Sequence, residues 1–376
     1  AESYDNTGSA LKSQGNFTAA MQQFTQAINL KPDFAQAHYN LGVVLLETGN
    51  PQAAINSYQQ AIKIKPDYFK VYSGMGIALQ KRGELEAAID SYKLAIKIKP
   101  DYEVAHVQKL YQQAHICDWT AIEQNRATIS KLGTLTHHVD PFRVLSLEDA
   151  PERHRLRSEL HVRNTYLQKP LPLVPEPSEI PKRIRIGYFS ADFRQHPVAY
   201  LMAKVIETHD RDCFEVYGYS IGPVKEDEMR RRLIAGFDVF NDFSDMGDQD
   251  IALFARQDKL DIAIDLTGYT GKNRCGIFAY RAAPIQINYL GYPGTMGADF
   301  IDYIIADQNL IPNESQKYYS EKPIYLPHAY MPTDNTRQIS SDPITRSEIS
   351  LNAVSIIIGT CDSFLISLQT SLYIAF

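Results

Sequence analysis

The sequence predicts an α-solenoid followed by a doubly wound α/β domain, and two observations carry that prediction. The first is periodicity. Pro32, Pro66 and Pro100 stand 34 residues apart, and Gly15, Gly49 and Gly83 keep the same register. So do Ala20, Ala54 and Ala88, the rings Phe24, Tyr58 and Tyr92, the trio Ala27, Ala61 and Ala95, and the trio Gly8, Gly42 and Gly76. The second observation is a change of pattern after Pro181, where short apolar runs begin to alternate with helical stretches. That alternation is the sign of a parallel sheet with crossover helices. The 376 residues are 44% hydrophobic and 22% charged, ordinary values for domains that can bury a core.

A period of 34 with these residue types is the signature of tetratricopeptide repeats, three of them over residues 1–102. Each position has a physical reason. Sites such as Gly8 and Ala20 are small because two antiparallel helices approach closely there. The ring at 24, 58 and 92 fills the space between one helix pair and the next. Gly49-Asn50 supplies a turn, Pro51 suits the first position of a helix, and Lys65-Pro66-Asp67 ends that helix because proline cannot continue it. Each pair leaves an apolar face that only a neighbour covers, so the pairs stack. The concave face of such an array suits extended peptides or partner proteins. Asn6 and Asn40 occupy equivalent first-helix positions and could bond a peptide backbone, with ordinary polar surface as the competing reading; the third equivalent is Gly74, which breaks the ladder.

Residues 103–168 read as a degenerate fourth repeat and connecting helices. A repeat starting near Glu103 would hold Leu110 at its glycine position, yet helical spacing continues through Ala114, Ile122 and Ile129. Asp140-Pro141 and Ala150-Pro151 mark helix boundaries. Trp119, the single tryptophan, is expected in the core. His137-His138 has no spaced partner to complete a metal site and reads as surface. Pro170, Pro172, Pro175, Pro177 and Pro181 make residues 169–182 an extended, semi-rigid linker. Cys117, Cys213, Cys275 and Cys361 form no C-x-x-C pair and read as free thiols of a reducing compartment. The net charge of -6, with no basic cluster to offset it, argues against a nucleic-acid partner. The start, Ala1-Glu2-Ser3-Tyr4, is polar and lacks a secretion-leader pattern. The expected location is therefore the cytoplasm, and the missing initiator methionine suggests a start inside a longer chain.

In the second part, residues 183–189, 214–219, 261–265, 285–289 and 303–306 read as strands, with helices over 198–207 and 226–234. Ligands of such sheets sit beyond the carboxyl ends of the strands, which singles out three loops. The first runs from Ser190 to Pro197 and puts His196 at a helix start. An imidazole with near-neutral pKa can exchange a proton there or hydrogen-bond a sugar or phosphate; a surface histidine is the alternative. The second, Asp265 to Gly271, holds two glycines that allow close backbone approach, or it is a simple turn. The third, Gly291 to Gly297, has glycine at every third residue, which frees backbone N–H groups to face an anion or sugar oxygens. It is neither GxGxxG nor GxxxxGK[ST], so dinucleotide and P-loop readings fail. Asp248-Gln249-Asp250 has the form of a metal-binding DxD, but a helix N-cap is the favoured reading.

These loops carry a resemblance. Arg185-Ile186-Gly187-Tyr188-Phe189-Ser190-Ala191-Asp192-Phe193, followed by His196-Pro197, is similar to the start of the catalytic region of O-linked N-acetylglucosamine transferases. Arg281-Ala282-Ala283-Pro284-Ile285-Gln286-Ile287, followed by Leu290-Gly291-Tyr292-Pro293-Gly294-Thr295-Met296-Gly297, resembles a second and very specific block of that family. Asp302-Tyr303-Ile304-Ile305-Ala306-Asp307 and Tyr319-Ser320-Glu321-Lys322 extend it, and upstream tetratricopeptide repeats belong to the same architecture. The likeness spans roughly residues 1–352. It implies a two-lobed glycosyltransferase of GT-B type, with a Rossmann-like first lobe over 183–352 and the nucleotide sugar between the lobes. It further implies an inverting transfer of N-acetylglucosamine from UDP-GlcNAc to Ser or Thr of proteins that the repeats recruit, with no metal and no membrane involved. By the resemblance His196 is the catalytic-region histidine, contacting the donor or helping to deprotonate the acceptor. Pro197, Gly291, Gly294 and Thr295 would lie near the donor sugar. Spindly-type members resemble the same blocks and use a fucose donor.

Two departures stand out. A second histidine often found in the family just ahead of an Asp-x-Ser step is replaced here by Val239, before Asp242-Phe243-Ser244. The family also continues after Leu351 into a complete second lobe. Here residues 356–362 begin as a strand might, and 363–376 do not look like the family, so truncation or a frameshift is expected over 353–376. A membrane span there is disfavoured, because Asp362, Ser367, Gln369 and Thr370 interrupt the apolar run. Without the second lobe the polypeptide is expected to have little transferase activity. A repeat scaffold with a vestigial lobe is the alternative function.

Overall fold

The structure, a computed structural model, describes residues 1–13, 15–135, 139–172, 181–271 and 273–337. The chain divides into two compact units, Ala1–Ala150 and the part from Pro151 onward. His137-His138, Pro175, Pro177, Cys361 and the whole stretch 353–376 fall outside the described residues.

The first unit is helical: α1 Glu2–Ser13, α2 Phe17–Leu30, α3 Ala35–Glu47, α4 Pro51–Ile64, α5 Phe69–Lys81, α6 Leu85–Ile98, α7 Glu103–His115, α8 Trp119–Gln124, α9 Arg126–Ile129 and α10 Pro141–Leu145. The first six form three pairs, as the period predicts. Gly15, Gly49 and Gly83 turn each pair at φ of +78°, +81° and +81°, a conformation that a Cβ disfavours. Pro51 opens α4 behind Asn50, and Lys65 closes it. A Cβ at Gly8, Gly42 or Gly76 would stand 2.7, 2.5 and 2.5 Å from the rings of Phe24, Tyr58 and Tyr92. Each glycine therefore makes room for the ring of its own pair, and Tyr58 also presses on Gly74 of the next. The sequence did not announce a further periodic contact. The side chains at 38, 72 and 106 donate to the carbonyls of Pro32, Pro66 and Pro100 at 2.9, 3.0 and 2.8 Å.

The fourth repeat keeps more of the pattern than its sequence suggests. Helix α7 has the 13 residues of α3 and α5, and Cys117 takes the turn position of Gly15, Gly49 and Gly83 at φ +57°. The pair then departs. Leu110, fully buried, stands at the glycine site, and Arg126 stands where the ring belongs. The second helix breaks at Asn125 into α8 and α9. Val107, Leu110, Ile129, Leu132, Val139 and Val144 close the end of the array as one apolar cluster. Trp119 is a correction: as the first residue of α8 it points outward and is 53% exposed.

The second unit begins with α11 Pro151–Thr165, ahead of the boundary expected at 183. It continues through β1 Ile184–Ser190, α12 Pro197–Glu207, β2 Phe214–Ser220, α13 Glu228–Gly236, β3 Val239–Asp242, α14 Asp248–Gln257, β4 Ile262–Asp265, α15 Gly276–Ala279, β5 Ile285–Asn288, β6 Tyr303–Ala306, a 3-10 turn at Asn313–Tyr318 and β7 Lys322–Tyr325. All seven strands are parallel, in the order β3-β2-β1-β4-β5-β6-β7. Strands β3 and β7 were not read from the sequence. One face is sealed by α12 and α13, with Ile186, Tyr188, Met202, Ile206, Val216, Leu233 and Ile264 in the core. Residues 168–172 are fastened to this unit and are not a free spacer: Leu171 N donates to Tyr280 O at 3.1 Å, and the Arg256 guanidinium bonds the carbonyls of Leu171 and Pro172.

Candidate functional site

Because every strand runs the same way, all the strand-end loops emerge on one edge of the sheet. Chain order reverses between β1 and β4, the place where such sheets open a crevice. The loops after β1, β4 and β5 are neighbours there, and they touch. Ala191 N donates to Thr267 Oγ1 at 3.3 Å, and a Cβ on Gly291 would collide with the Leu266 carbonyl.

His196 stands where the sequence places it, at the start of α12, with Pro197 as the first helical residue. Its Nδ1 accepts from Val198 N at 3.3 Å and so caps the helix. Its Nε2 faces Asp192 Oδ2 at 3.7 Å, and Asp192 Oδ1 accepts from Arg194 at 2.7 Å. Burial pushes the imidazole below its usual titration range; the Asp192 charge opposes this and Arg194 adds to it. The ring is therefore neutral at physiological pH. With Nδ1 holding a backbone N–H, its proton is assigned to Nε2.

The β4 loop hangs on Asp265, which is buried at 1% exposure. Its Oδ1 accepts from Thr267 N and Gly268 N at 2.8 and 3.1 Å. Burial pushes this carboxyl up to about 6 despite those amides. The β5 loop corrects part of one expectation. Two of its three glycines do not leave their N–H groups free: Gly291 N donates to Tyr289 O, and Gly297 N to Thr295 Oγ1. A Cβ at Gly297 would press on the backbone of Ser158 and Glu159 in α11, and one at Gly294 on the Tyr292 ring. Close packing is what those positions require. Thr295 is buried, and its hydroxyl donates to Glu321 Oε2 at 2.7 Å. Of this loop's expected donor residues, Gly291 stays partly open while Gly294 and Thr295 lie inside.

Several residues that hold the site were missed. Asp192 and Glu321 lie within the family-like blocks and Thr267 in the β4 loop, but only the distances between loops reveal their tasks. Asp248 is in the first turn of α14 and pairs with Arg274 at 2.6 Å, whereas Gly247 is the N-cap, a second correction. Val239 opens β3 at the end away from the crevice. After β7 the chain returns to α12 and α13: Asp334 pairs with Arg232 at 2.6 Å, and Arg337 lies 4.7 Å over the Tyr200 ring. In the first unit Asn6 is exposed, but Asn40 is buried. Its Nδ2 donates to Asp5 at 2.8 Å and its Oδ1 accepts from Gln36. The Asn40 amide is thus spent inside the array. Among the described residues no helix is long and apolar enough to cross a membrane.

A tetratricopeptide array ahead of an all-parallel lobe with this loop cluster defines the repeat-bearing glycosyltransferases. The chain belongs to glycosyl transferase family 41, whose profile matches residues 160–349. Tetratricopeptide profiles match 8–49, 35–68 and 69–102. The chain is 43% identical over 153 residues to the Arabidopsis thaliana protein SEC, described as a probable UDP-N-acetylglucosamine–peptide N-acetylglucosaminyltransferase. It is 38% identical over 159 residues to the Caenorhabditis elegans enzyme of that name, and 34% over 152 residues to Arabidopsis SPINDLY. These alignments take in 41%, 42% and 39% of the chain but only 16%, 14% and 16% of the relatives. A point mutant of the Thermobaculum terrenum O-GlcNAc transferase superposes with a TM-score of 0.55 at 26% identity, covering 88% of this chain and 58% of that one.

Proposed function

We propose that the chain supplies the acceptor-recruiting repeats and one wall of the donor cleft of a protein O-glycosyltransferase that transfers N-acetylglucosamine from UDP-GlcNAc to Ser or Thr hydroxyls in the cytoplasm. The observation that supports this most is the convergence of the β1, β4 and β5 loops at the switch point, the first and last of them carrying the family-like blocks. The SEC and SPINDLY relatives, at 43% and 34% identity, are both described as N-acetylglucosaminyltransferases, which supports N-acetylglucosamine as the sugar. In this reading the hydroxyl oxygen attacks the anomeric carbon from the face opposite UDP. The bond to the diphosphate breaks and UDP departs with the bonding pair, configuration inverts, and the hydroxyl proton passes to water. No metal ion takes part. With its Nδ1 committed to α12, His196 offers an Nε2–H, so its task is to hydrogen-bond a sugar or phosphate oxygen of the donor and not to accept the proton. Pro197 sets the start of α12 behind it, and Gly291 lets the donor approach the β5 backbone. Gly294 and Thr295 shape that loop from inside. The exposed Asn6 and the groove of the array receive acceptor proteins.

Calorimetric titration with UDP-GlcNAc, UDP and GDP-fucose in the presence of EDTA tests this. UDP-GlcNAc should bind best, and His196→Ala should weaken it about tenfold, the worth of one hydrogen bond. Binding indifferent to the sugar or to His196 contradicts the reading. Residues 1–376 by themselves should show little or no transfer to a Ser/Thr peptide, and turnover well above background would contradict the one-wall account.

A further inference from the structure

The loop that carries His196 is gripped from the side by α13, which begins at Glu228 behind the N-cap Asp227. Arg230 on α13 is buried at 2% exposure. Its NH1 donates to Phe193 O and to Ser220 Oγ, each at 3.3 Å. Its charge is met by Asp242 and by Glu226 at 3.2 Å, and its guanidinium stacks 5.1 Å over Phe240. Asp227, the N-cap of the same helix, divides its carboxylate. Oδ1 accepts from Arg230 N at 2.9 Å, and Oδ2 accepts from Gln195 N at 2.7 Å. The two gripped groups, the Phe193 carbonyl and the Gln195 amide, flank Arg194, and His196 follows at once. Across the loop, Ala191 is held by Thr267.

We propose that Asp227 and Arg230 are positioning residues for His196: together they fix the backbone of residues 193–195 and so set where the imidazole's Nε2–H points. The hydrogen bonds of the two side chains go to the loop backbone, to β2 and β3 and to the N-terminal end of α13, not to the imidazole, so both act through the loop. The groups that face the ring directly are Asp192 and Arg194. A buried guanidinium aimed at a backbone carbonyl is costly to desolvate unless every donor is matched. Here the matching runs through the functional loop and not only within α13. The proposal gains its purpose from the reading of His196 as a donor contact, but its geometry stands without that reading.

Asp227→Asn separates positioning from mere helix stability. Asparagine still caps α13 through one acceptor, but it turns an N–H₂ towards the Gln195 amide or gives up the cap. In the full chain with ring-nitrogen-labelled histidine, NMR should show His196 of the wild type as the Nε2–H tautomer, titrating below an ordinary histidine. In Asp227→Asn the midpoint should rise by about 0.5 pH unit as the ring gains water. The tautomers should mix, and the Gln195 amide should lose about tenfold in exchange protection. Arg230→Met should do the same with a larger loss of stability; if it does not fold, Asp227→Asn decides alone. An unchanged His196 midpoint, tautomer and Gln195 protection in a folded Asp227→Asn variant would overturn the proposal. If those signals shift but His196→Ala leaves UDP-GlcNAc binding intact, the positioning stands and the proposed function fails.

Discussion

At the residue scale, the site is held by a few buried polar groups. Asp265 is the clearest. Its carboxyl titrates near 6 in the folded chain because burial penalises the charge, against about 4 when unfolded. A raised acid favours folding in its protonated form. Its contribution is therefore fully present at pH below about 4 and is lost as pH rises through 6, a cost on the order of 3 kcal/mol at neutrality. Asp265→Asn keeps an acceptor for the Thr267 and Gly268 amides without the charge. It should unfold in urea at pH 7 no earlier than the wild type, and the gap should close at pH 4. A variant less stable at pH 7 than at pH 4, relative to wild type, would show the charge to be stabilising. Glycines give a second contrast. Gly291→Ala forces a Cβ onto the Leu266 carbonyl and should cost about 2–3 kcal/mol. Gly271→Ala meets nothing within 4 Å and should stay within about 0.5 kcal/mol. Urea midpoints of the two would settle the comparison.

How much of this was legible residue by residue depends on whether the partner lies nearby in sequence. The place of His196 at a helix start could be read because the cap, the proline and the apolar run of α12 are all local. The inward turn of Thr295 could not, because Glu321 arrives from the far side of β6. For the same reason the glycine spacing of the β5 loop suggested open N–H groups, whereas α11 and the β4 loop fill the space beside it.

At the scale of elements, the repeat rests on a coupled choice: glycine on the first helix, a ring on the second. Gly42→Ala should cost about 1–3 kcal/mol by pushing Tyr58 away. Tyr58→Ala, which empties a fully buried site, should cost about 3–5 kcal/mol. Thermal or urea unfolding reads both, and equal costs would contradict a ring-sized cavity. The fourth repeat obeys the same rule in reverse: Leu110 replaces the glycine and no ring faces it, so the second helix can break. The missing glycine was legible; the persistence of the turn at Cys117 was not, because its φ is set by the helices it joins. Strands β3 and β7 escaped notice because each has four residues on a sheet edge, half-buried at most, and β7 even holds Pro323. Edge strands are specified by pairing more than by apolar pattern.

At the scale of the whole molecule, a period of 34 and a switch to strand-helix alternation were enough to name both architectures, because each is a repeated local signal. The join was less legible. Helix α11 looks like a continuation of the array, but the lobe claims it by packing beside Gly297. Residues 1–150 should accordingly fold alone, since their contacts lie between sequence neighbours. A helical spectrum with a cooperative melt is expected, and a featureless one would show that the array needs the lobe. The central claim is that three strand-end loops form one wall for the sugar of a nucleotide sugar. Hydrogen exchange of the chain with and without millimolar UDP-GlcNAc tests it most directly. Protection should rise together in residues 190–197, 266–271 and 289–297. Protection confined to another edge of the sheet, or absent from the β1 loop, would contradict it.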